Sequence, residues 1–321
     1  MPMTPGRFCP LNYRYAPTTF SRNADLAAET VYVIGGLYGN LPALAEILAM
    51  AAREVVAPTL VFNGDFHWFD TDAPTFAAIN TEVLKHIALR GNVETELAPD
   101  ADEAGCGCAY PDYVDDADVE RSNSIMQTLR ATARQFPEDV ARLIALPMHL
   151  VISVGESRVG IVHGDAESLS GWRFAHDSLH ETVNQQWLTE LCEQANLVGF
   201  ASSHTCLPTF RRFGKGAAAK FVVNNGAAGM PNFGGTQYGL ITRLSLHEAA
   251  DGTSQYGGKT GDLFVDALPV HFDHGKMVSR FLADWPAGSA AHTSYWRRIT
   301  EGPGYAPPHA LGLVRAPSVC A

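Results

Sequence analysis

Three stretches of the sequence predict an α/β fold. Thr59-Leu60-Val61-Phe62-Asn63-Gly64-Asp65 carries an unbroken apolar run, Leu60–Phe62, of the kind a strand buried on both faces requires. Val31-Tyr32-Val33-Ile34 is a second such run, and the segment between the two has helical periodicity. Residues 31–62 therefore predict one βαβ unit with a right-handed crossover. Further on, apolar runs flank two short turns, Gly155-Glu156-Ser157-Arg158 and the stretch around Gly214-Lys215, and predict hairpins. The βαβ start and the later hairpins together predict two mixed sheets packed face to face, with helices outside.

Taken in order, residues 1–29 lack periodicity and read as an extended arm. The strand at 31–34 ends at Gly35-Gly36-Leu37-Tyr38-Gly39-Asn40. Asn40 is a good N-cap and Pro42 suits a first turn. Leu41, Leu44, Ile47, Leu48 and Ala51 then trace an apolar stripe, and Pro58 closes the helix. Residues 73–85 predict a helix, and His86-Ile87-Ala88-Leu89 a third strand ending in the glycine turn Arg90-Gly91-Asn92-Val93-Glu94. From 99 to 118 the chain is acidic and irregular, carries Cys106-Gly107-Cys108, and reads as a surface insertion. Helices are expected over 122–136 and after Pro137, and again over 181–195. Strands are expected at 150–154, 159–162, 197–200, 221–226 and 240–246. The core thus spans 30–246, and 247–321, rich in Gly, Pro and His, reads as a C-terminal extension packed on it.

At 321 residues the chain can bury a large core. Its formal net charge of −11 argues against a general nucleic-acid surface, because such affinity comes mainly from Lys and Arg against phosphates. No apolar run reaches the roughly 18 residues that span a bilayer, and the first residues have no apolar signal region, so the cytoplasm is the expected location. The six cysteines (Cys9, Cys106, Cys108, Cys192, Cys206 and Cys320) show no regular framework and are expected as thiols.

The chemistry is carried by the ends of the strands. Asp65, Asn92, His163 and His204 each follow an apolar run and sit in a Gly- or Ser-containing turn. In open α/β sheets ligands bind beyond the carboxyl ends of the strands. Two imidazoles, one carboxylate and one amide oxygen suit a divalent transition ion such as Mn, Zn or Fe, provided the sheets bring those ends together.

These blocks resemble the calcineurin-like metallophosphoesterases over about residues 30–246: Val33 to Leu44, Asn63-Gly64-Asp65, Arg90-Gly91-Asn92-Val93-Glu94, Val162-His163-Gly164-Asp165, Ser203-His204-Thr205-Cys206 and the closing Asn224-Asn225-Gly226 segment. The resemblance implies a four-layer α/β-β/α sandwich, a two-metal site at one edge, and hydrolysis of phosphomonoesters or phosphodiesters. It also implies departures. The family's first block has Asp-x-His where this chain has Gly36 and Tyr38, and its last histidine is Cys206 here. One ion keeps Asp65, Asn92, His163 and His204; the other keeps only the bridging Asp65. The histidine that commonly follows the Gly-Asn pair is Val93.

His67 and Cys206 are the candidate catalytic or replacement residues, each equally readable as a plain loop residue or apolar filler. Asp70 reads as a loop residue. Tyr38 either plugs the vacated space or, with Asn92, contacts a phosphate oxygen. The expected activity is a metal-dependent phosphoesterase acting on a phosphorylated small molecule with one retained ion, or two if the altered position is rebuilt. The alternative is a degenerate protein of the same fold that binds metal or a phosphoryl ligand without turnover.

Overall fold

The computed structural model describes residues 4–99, 103–250 and 252–315; Cys320 and part of the 99–118 insertion lie outside them. The elements run β1 (Leu26–Ala28), β2 (Thr30–Ile34), α1 (Leu41–Arg53), β3 (Thr59–Asn63), α2 (Ala73–Val83), β4 (Ile87–Leu89), α3 (Asn92–Glu96), α4 (Asp116–Ala133) and α5 (Pro137–Ile144). There follow β5 (His149–Val154), β6 (Ser157–Val162), α6 (Thr182–Gln194), β7 (Gly199–Ser202), β8 (Thr209–Phe213), β9 (Lys220–Asn224) and β10 (Gly239–Ser245). The chain closes with β11 (Tyr256–Thr260), β12 (Leu263–Val270), α7 (His274–Asp284), α8 (Ala290–Glu301) and α9 (Pro307–Ala310).

Two six-stranded mixed sheets result, ordered β1-β5-β6-β7-β9-β8 and β11-β12-β10-β2-β3-β4. Side-chain alternation along the strands sorts the core into three apolar layers. Val31, Val33 and Val61 of one sheet meet Ile152, Ile161 and Val223 of the other between the sheets. Tyr32, Ile34 and Phe62 point the opposite way, against Leu44 and Ile47 of α1, Ile79 of α2 and Phe281 of α7. Val151, Phe200 and Val222 turn outward onto Leu188 and Leu191 of α6. Helix, sheet, sheet and helix are therefore stacked in four layers. The N-caps follow sequence chemistry: the Asn40 side chain accepts from Ala43 N at 3.0 Å and Asp72 from Thr75 N at 3.1 Å.

The structure revises three expectations. Residues 4–29 are more than an extended arm: Tyr13 and Phe20 are fully buried, and β1 pairs in parallel with β5. The chain beyond 246 contributes β11 and β12, and β12 pairs antiparallel with all seven residues of β10, so the second sheet is completed after the expected core boundary. The described part of the insertion is not all surface: residues 104–108 are buried, whereas 112, 113 and 115–117 are exposed. Cys106 and Cys108 are buried, because their backbone is spent on holding the strand-end residues, as described below. No helix among the described residues is long and apolar enough to cross a membrane.

Candidate metal centre

The loops after β3, β4, β6 and β7 bring Asp65, Asn92, His163 and His204 to one point at the edge of the two sheets. Close approach of the first two loops demands glycine: a Cβ on Gly64 would meet Gly91 N at 2.6 Å and His163 Nδ1 at 2.7 Å. The ligand-type atoms of Asp65, His163 and His204 all lie within 4.8 Å of one another, and all three residues are buried. His163 Nε2 stands 3.4 Å from Asp65 Oδ1, 3.1 Å from Asn92 Oδ1 and 3.2 Å from His204 Nδ1. Four donors about 2.1 Å from one ion in a tetrahedral arrangement are about 3.4 Å apart, so these separations fit a single coordination sphere.

The hydrogen-bond pattern fixes what those atoms present. His163 Nδ1–H donates to the Asn63 carbonyl at 2.9 Å, which leaves Nε2 as a lone pair facing the centre. His204 Nε2–H donates to the Cys108 carbonyl at 3.0 Å and leaves Nδ1 inward. Asn92 Nδ2 donates to the Cys106 carbonyl at 2.9 Å, which turns Oδ1 inward. With the Asp65 carboxylate, four acceptors converge with no donor between them when both imidazoles are neutral. Such a cluster repels itself unless a proton or a metal cation enters. The electrostatics agree. Burial alone lowers the pKa of His163, but the Asp65 carboxylate outweighs it and holds the value above the ordinary imidazole range. Burial, then the His163 charge, pushes His204 down to about 3. Burial raises the Asp65 pKa, and the two histidines more than reverse that.

Cys106-Gly107-Cys108 thus orients two of the four residues through its carbonyl groups. The space around it leaves no room for a side chain at its middle: a Cβ on Gly107 would lie 2.4 Å from Tyr13 Oη and 2.9 Å from Glu96 Cγ. Outer partners of metal ligands are worth about 10–100-fold in affinity. Gly107→Ala is therefore expected to weaken Zn or Mn binding by about that factor, measured by competition with a chromophoric chelator. Unchanged affinity would show that these carbonyls do not set the ligand faces.

Glu94 is a functional residue that the sequence reading passed over. Its carboxylate is buried and accepts from three backbone N–H groups: Asp65 at 2.8 Å, Phe66 at 2.9 Å and Gly91 at 2.8 Å. It therefore ties the Asp65 turn to the Asn92 turn. Burial, and then the Asp65 charge, raises its pKa. The available signal was a Glu three residues after Gly91 at the start of a helix, the spacing of a capping box.

No protein-family model matches this sequence, and neither does any curated protein. Solved structures do match. A metallophosphoesterase from Sphaerobacter thermophilus is similar with a TM-score of 0.53 and 14% identity, over 86% of this chain and 100% of that one. The fold is that of the metallophosphoesterases. A hypothetical protein from Pyrococcus horikoshii OT3 is similar with a TM-score of 0.57 and 14% identity, over 86% of this chain and 99% of that one. At such identity the likeness is one of fold, and the chemistry rests on this chain's own residues.

Within the metallophosphoesterase fold, the place of the altered first block is taken up by side chains. A Cβ on Gly36 would meet the Tyr38 ring at 3.0 Å, so the phenol lies directly over the glycine. Tyr38 Oη is 3.2 Å from Cys206 Sγ, and that thiol also donates to the His204 carbonyl at 3.3 Å. Burial keeps both groups protonated: it is the largest cause raising the pKa of Tyr38 and that of Cys206. Cys206 is thus adjacent to the cluster without joining the Asp65–His163–His204 group.

The structure does not bring His67 to the centre. It is buried, its Nδ1 is 2.5 Å from Asp70 Oδ2 and its Nε2 3.0 Å from Asn80 Oδ1, and its ring stacks on Phe76 at 4.1 Å. With both nitrogens engaged in the helical layer, neither His67 nor Asp70 is available to rebuild the altered position. The five described cysteines are free thiols.

A cavity of about 40 Å³ opens over Asp65, Asn92 and His204. Tyr38, Trp68, Tyr110, Trp172 and Tyr295 wall it. A space of this size holds about three waters. Among the described residues, three of the five non-glycine positions with positive φ, Tyr38, Asp65 and Cys206 (φ 54°, 55° and 59°), border it. Backbone strain of this kind gathers where a fold fixes functional groups.

Proposed function

We propose that this protein is a metal-dependent phosphoric-ester hydrolase that works with one retained divalent ion. The convergence of four acceptor atoms on one point, with no donor among them when both imidazoles are neutral, carries the reading, because such a cluster is favourable only once a metal cation or a proton enters it. Asp65, Asn92, His163 and His204 would hold Mn, Zn or Fe. When bound, such an ion polarises a phosphoryl oxygen and lowers the pKa of a water. The chain's own residues do the rest. The Asn63 and Cys108 carbonyls hold the two imidazoles with their lone pairs inward. Tyr38 Oη–H at the cavity wall donates to a phosphoryl oxygen, and Asn92 fixes the opposite side. The aromatic wall excludes bulk water, which strengthens each of these contacts. Val93 offers no proton to a leaving group, so good leaving groups such as aryl oxides are the favoured esters. The substrate is a phosphorylated small molecule, and the cytoplasm is the compartment that fits the free thiols.

The test is metal content followed by turnover. Protein purified without chelator is expected to carry one ion per chain by elemental analysis, and His163→Ala or Asp65→Asn to carry almost none. Hydrolysis of an aryl phosphodiester is expected to be measurable in the unsubstituted protein and lost with either change. If His163→Ala keeps a full ion, the assigned ligands are wrong.

A second reading has its own support. The Tyr38 ring over Gly36 and the small cavity favour a protein that binds metal or a phosphoryl ligand without turnover. One ion per chain with no hydrolysis of any phosphoester would establish that reading in place of the first.

A further inference from the structure

The cavity over the centre has a floor and a mouth. Asp65, Asn92, Val93 and His204 line it as buried residues, whereas Tyr110, Trp172, Cys206 and Tyr295 line it half-exposed, towards solvent. A volume of about 40 Å³ takes about three waters, enough for the peripheral oxygens of one phosphoryl group and too little for a whole ester. The organic part of a bound ester therefore lies at the mouth. Most donors there are already spent within the protein. Trp172 Nε1 donates to the Cys108 carbonyl at 3.0 Å, Cys206 Sγ to the His204 carbonyl at 3.3 Å, and Tyr110 Oη is 3.1 Å from Ser122 Oγ. The Tyr295 O–H has no acceptor among the described residues, and its oxygen takes a hydrogen bond from Trp68. Tyr295 belongs to α8, and its ring stands edge-on to Phe69 with centroids 5.0 Å apart. The phenol keeps its proton at neutral pH. Burial, then the Cys206 and Cys108 thiols, raise its pKa, outweighing the Arg298 charge and the Trp68 hydrogen bond.

We propose that Tyr295 is the residue that meets the leaving group: with a phosphoryl group seated in the cavity, its O–H donates to the ester oxygen that departs and stabilises the charge developing there. The inference rests on the proposed hydrolase and supplies the donor that Val93 lacks. Depth separates the two phenols. Tyr38 is buried against Gly36 and reaches the phosphoryl oxygens, whereas Tyr295 stands at the mouth, where the organic group leaves. A departing aryl oxide is less basic than this phenol, so Tyr295 holds it by a hydrogen bond and keeps its own proton. Such a bond strengthens as the oxide gains charge, and it does so most for the more basic leaving groups.

The test is Tyr295→Phe, which keeps the ring on Phe69 and removes only the hydroxyl. Metal-loaded protein is given a series of aryl methyl phosphodiesters whose phenols span a range of acidity. The variant is expected to lose about 10–100-fold in kcat on the phenyl ester and less than about threefold on the 4-nitrophenyl ester, so that the rate depends more steeply on leaving-group pKa. Ions per chain should not change. A merely structural tyrosine would slow every ester by the same factor and leave the slope alone, and that result overturns the proposal. A second readout needs no turnover. 4-Nitrophenolate, the leaving group itself, is added to both loaded proteins, and its bound absorption band is expected at shorter wavelength with Tyr295 than with Phe. Identical bands, or no binding at about 10 mM, overturn the proposal. Should Tyr295→Phe fail to fold, Tyr295→Leu removes the same hydroxyl and is read in the same way. Failure of the proposed function is separable, because it is read from the unsubstituted protein as absent ions or absent hydrolysis; the phenolate band then decides the role of Tyr295 by itself.

Discussion

Gly36→Asp alone is expected to destabilise the chain by about 1–3 kcal/mol and to add no second ion, because a side chain at that left-handed position meets the Tyr38 ring. The triple change Gly36→Asp, Tyr38→His, Cys206→His is expected to behave differently. It removes the ring, and it places Asp and His at three left-handed positions, which those residue types tolerate better than most. Metal stoichiometry should rise from one towards two per chain, and aryl phosphodiester turnover should rise with it, since two ions clamp both attacking and leaving oxygens. The measurements are elemental analysis, urea unfolding and initial rates on the single and triple variants. Suppose the native protein already holds two ions and the triple change lowers activity. Then the position is rebuilt from other ligands, and the account of Tyr38 as its occupant fails.

Glu94→Ala is expected to cost about 3–5 kcal/mol in urea unfolding, among the largest single-residue effects in the molecule. The change strands three buried N–H groups, those of Asp65, Phe66 and Gly91, each worth about 1–3 kcal/mol when left unsatisfied. Glu94→Gln keeps one carbonyl oxygen and turns an amide N–H₂ against a donor, so about half that loss is expected. Because the Glu94 carboxylate ties the Asp65 turn to the Asn92 turn, both variants should also lose metal affinity. A loss below about 1 kcal/mol in the alanine variant would mean that water replaces the carboxylate and that the turns hold each other by other contacts.

Much of this was legible in the sequence because the relevant signals are local. A strand end followed by Gly and a polar residue can be read from a handful of letters, and Asp65, Asn92, His163 and His204 do come together. So can the apolar runs that make β2, β3, β5 and β6. What escaped was set by distance or by ambiguity. β11 carries Gly257-Gly258 and β12 carries Pro269, so neither reads as a strand until its partner is in place, β10 for β12 and β12 for β11. Three-residue β1 has no period at all, and its place is fixed by pairing with β5, 126 residues on at Leu26↔Ile152 (152 − 26). Cys106-Gly107-Cys108 matters through its carbonyl groups, which are the same in every residue and so leave no mark on composition. Arg298 sits in a helix between Arg297, which is exposed, and Ile299, which is buried, and periodicity does not say that a cation lies on the buried face. His67 shows the opposite error: proximity in sequence to Asp65 suggested a role, yet the turn aims its ring into the helical layer.

The pairing of β2 with β10 has a consequence for how the polypeptide is made. Thr242 faces Val33, so the middle of the second sheet waits for a partner 209 residues downstream (242 − 33). At about 5–20 residues per second of synthesis, the β2 edge stays open for about 10–40 s after it leaves the ribosome. Throughout that interval Val31, Tyr32, Val33 and Ile34 present unpaired backbone and apolar side chains, the ingredients of strand-to-strand aggregation. β3 covers one edge of β2 early, but the other stays open to strand-to-strand pairing until β10 arrives. Yield in a cell should respond to chaperone supply and growth temperature more steeply than the stability of the finished protein would suggest.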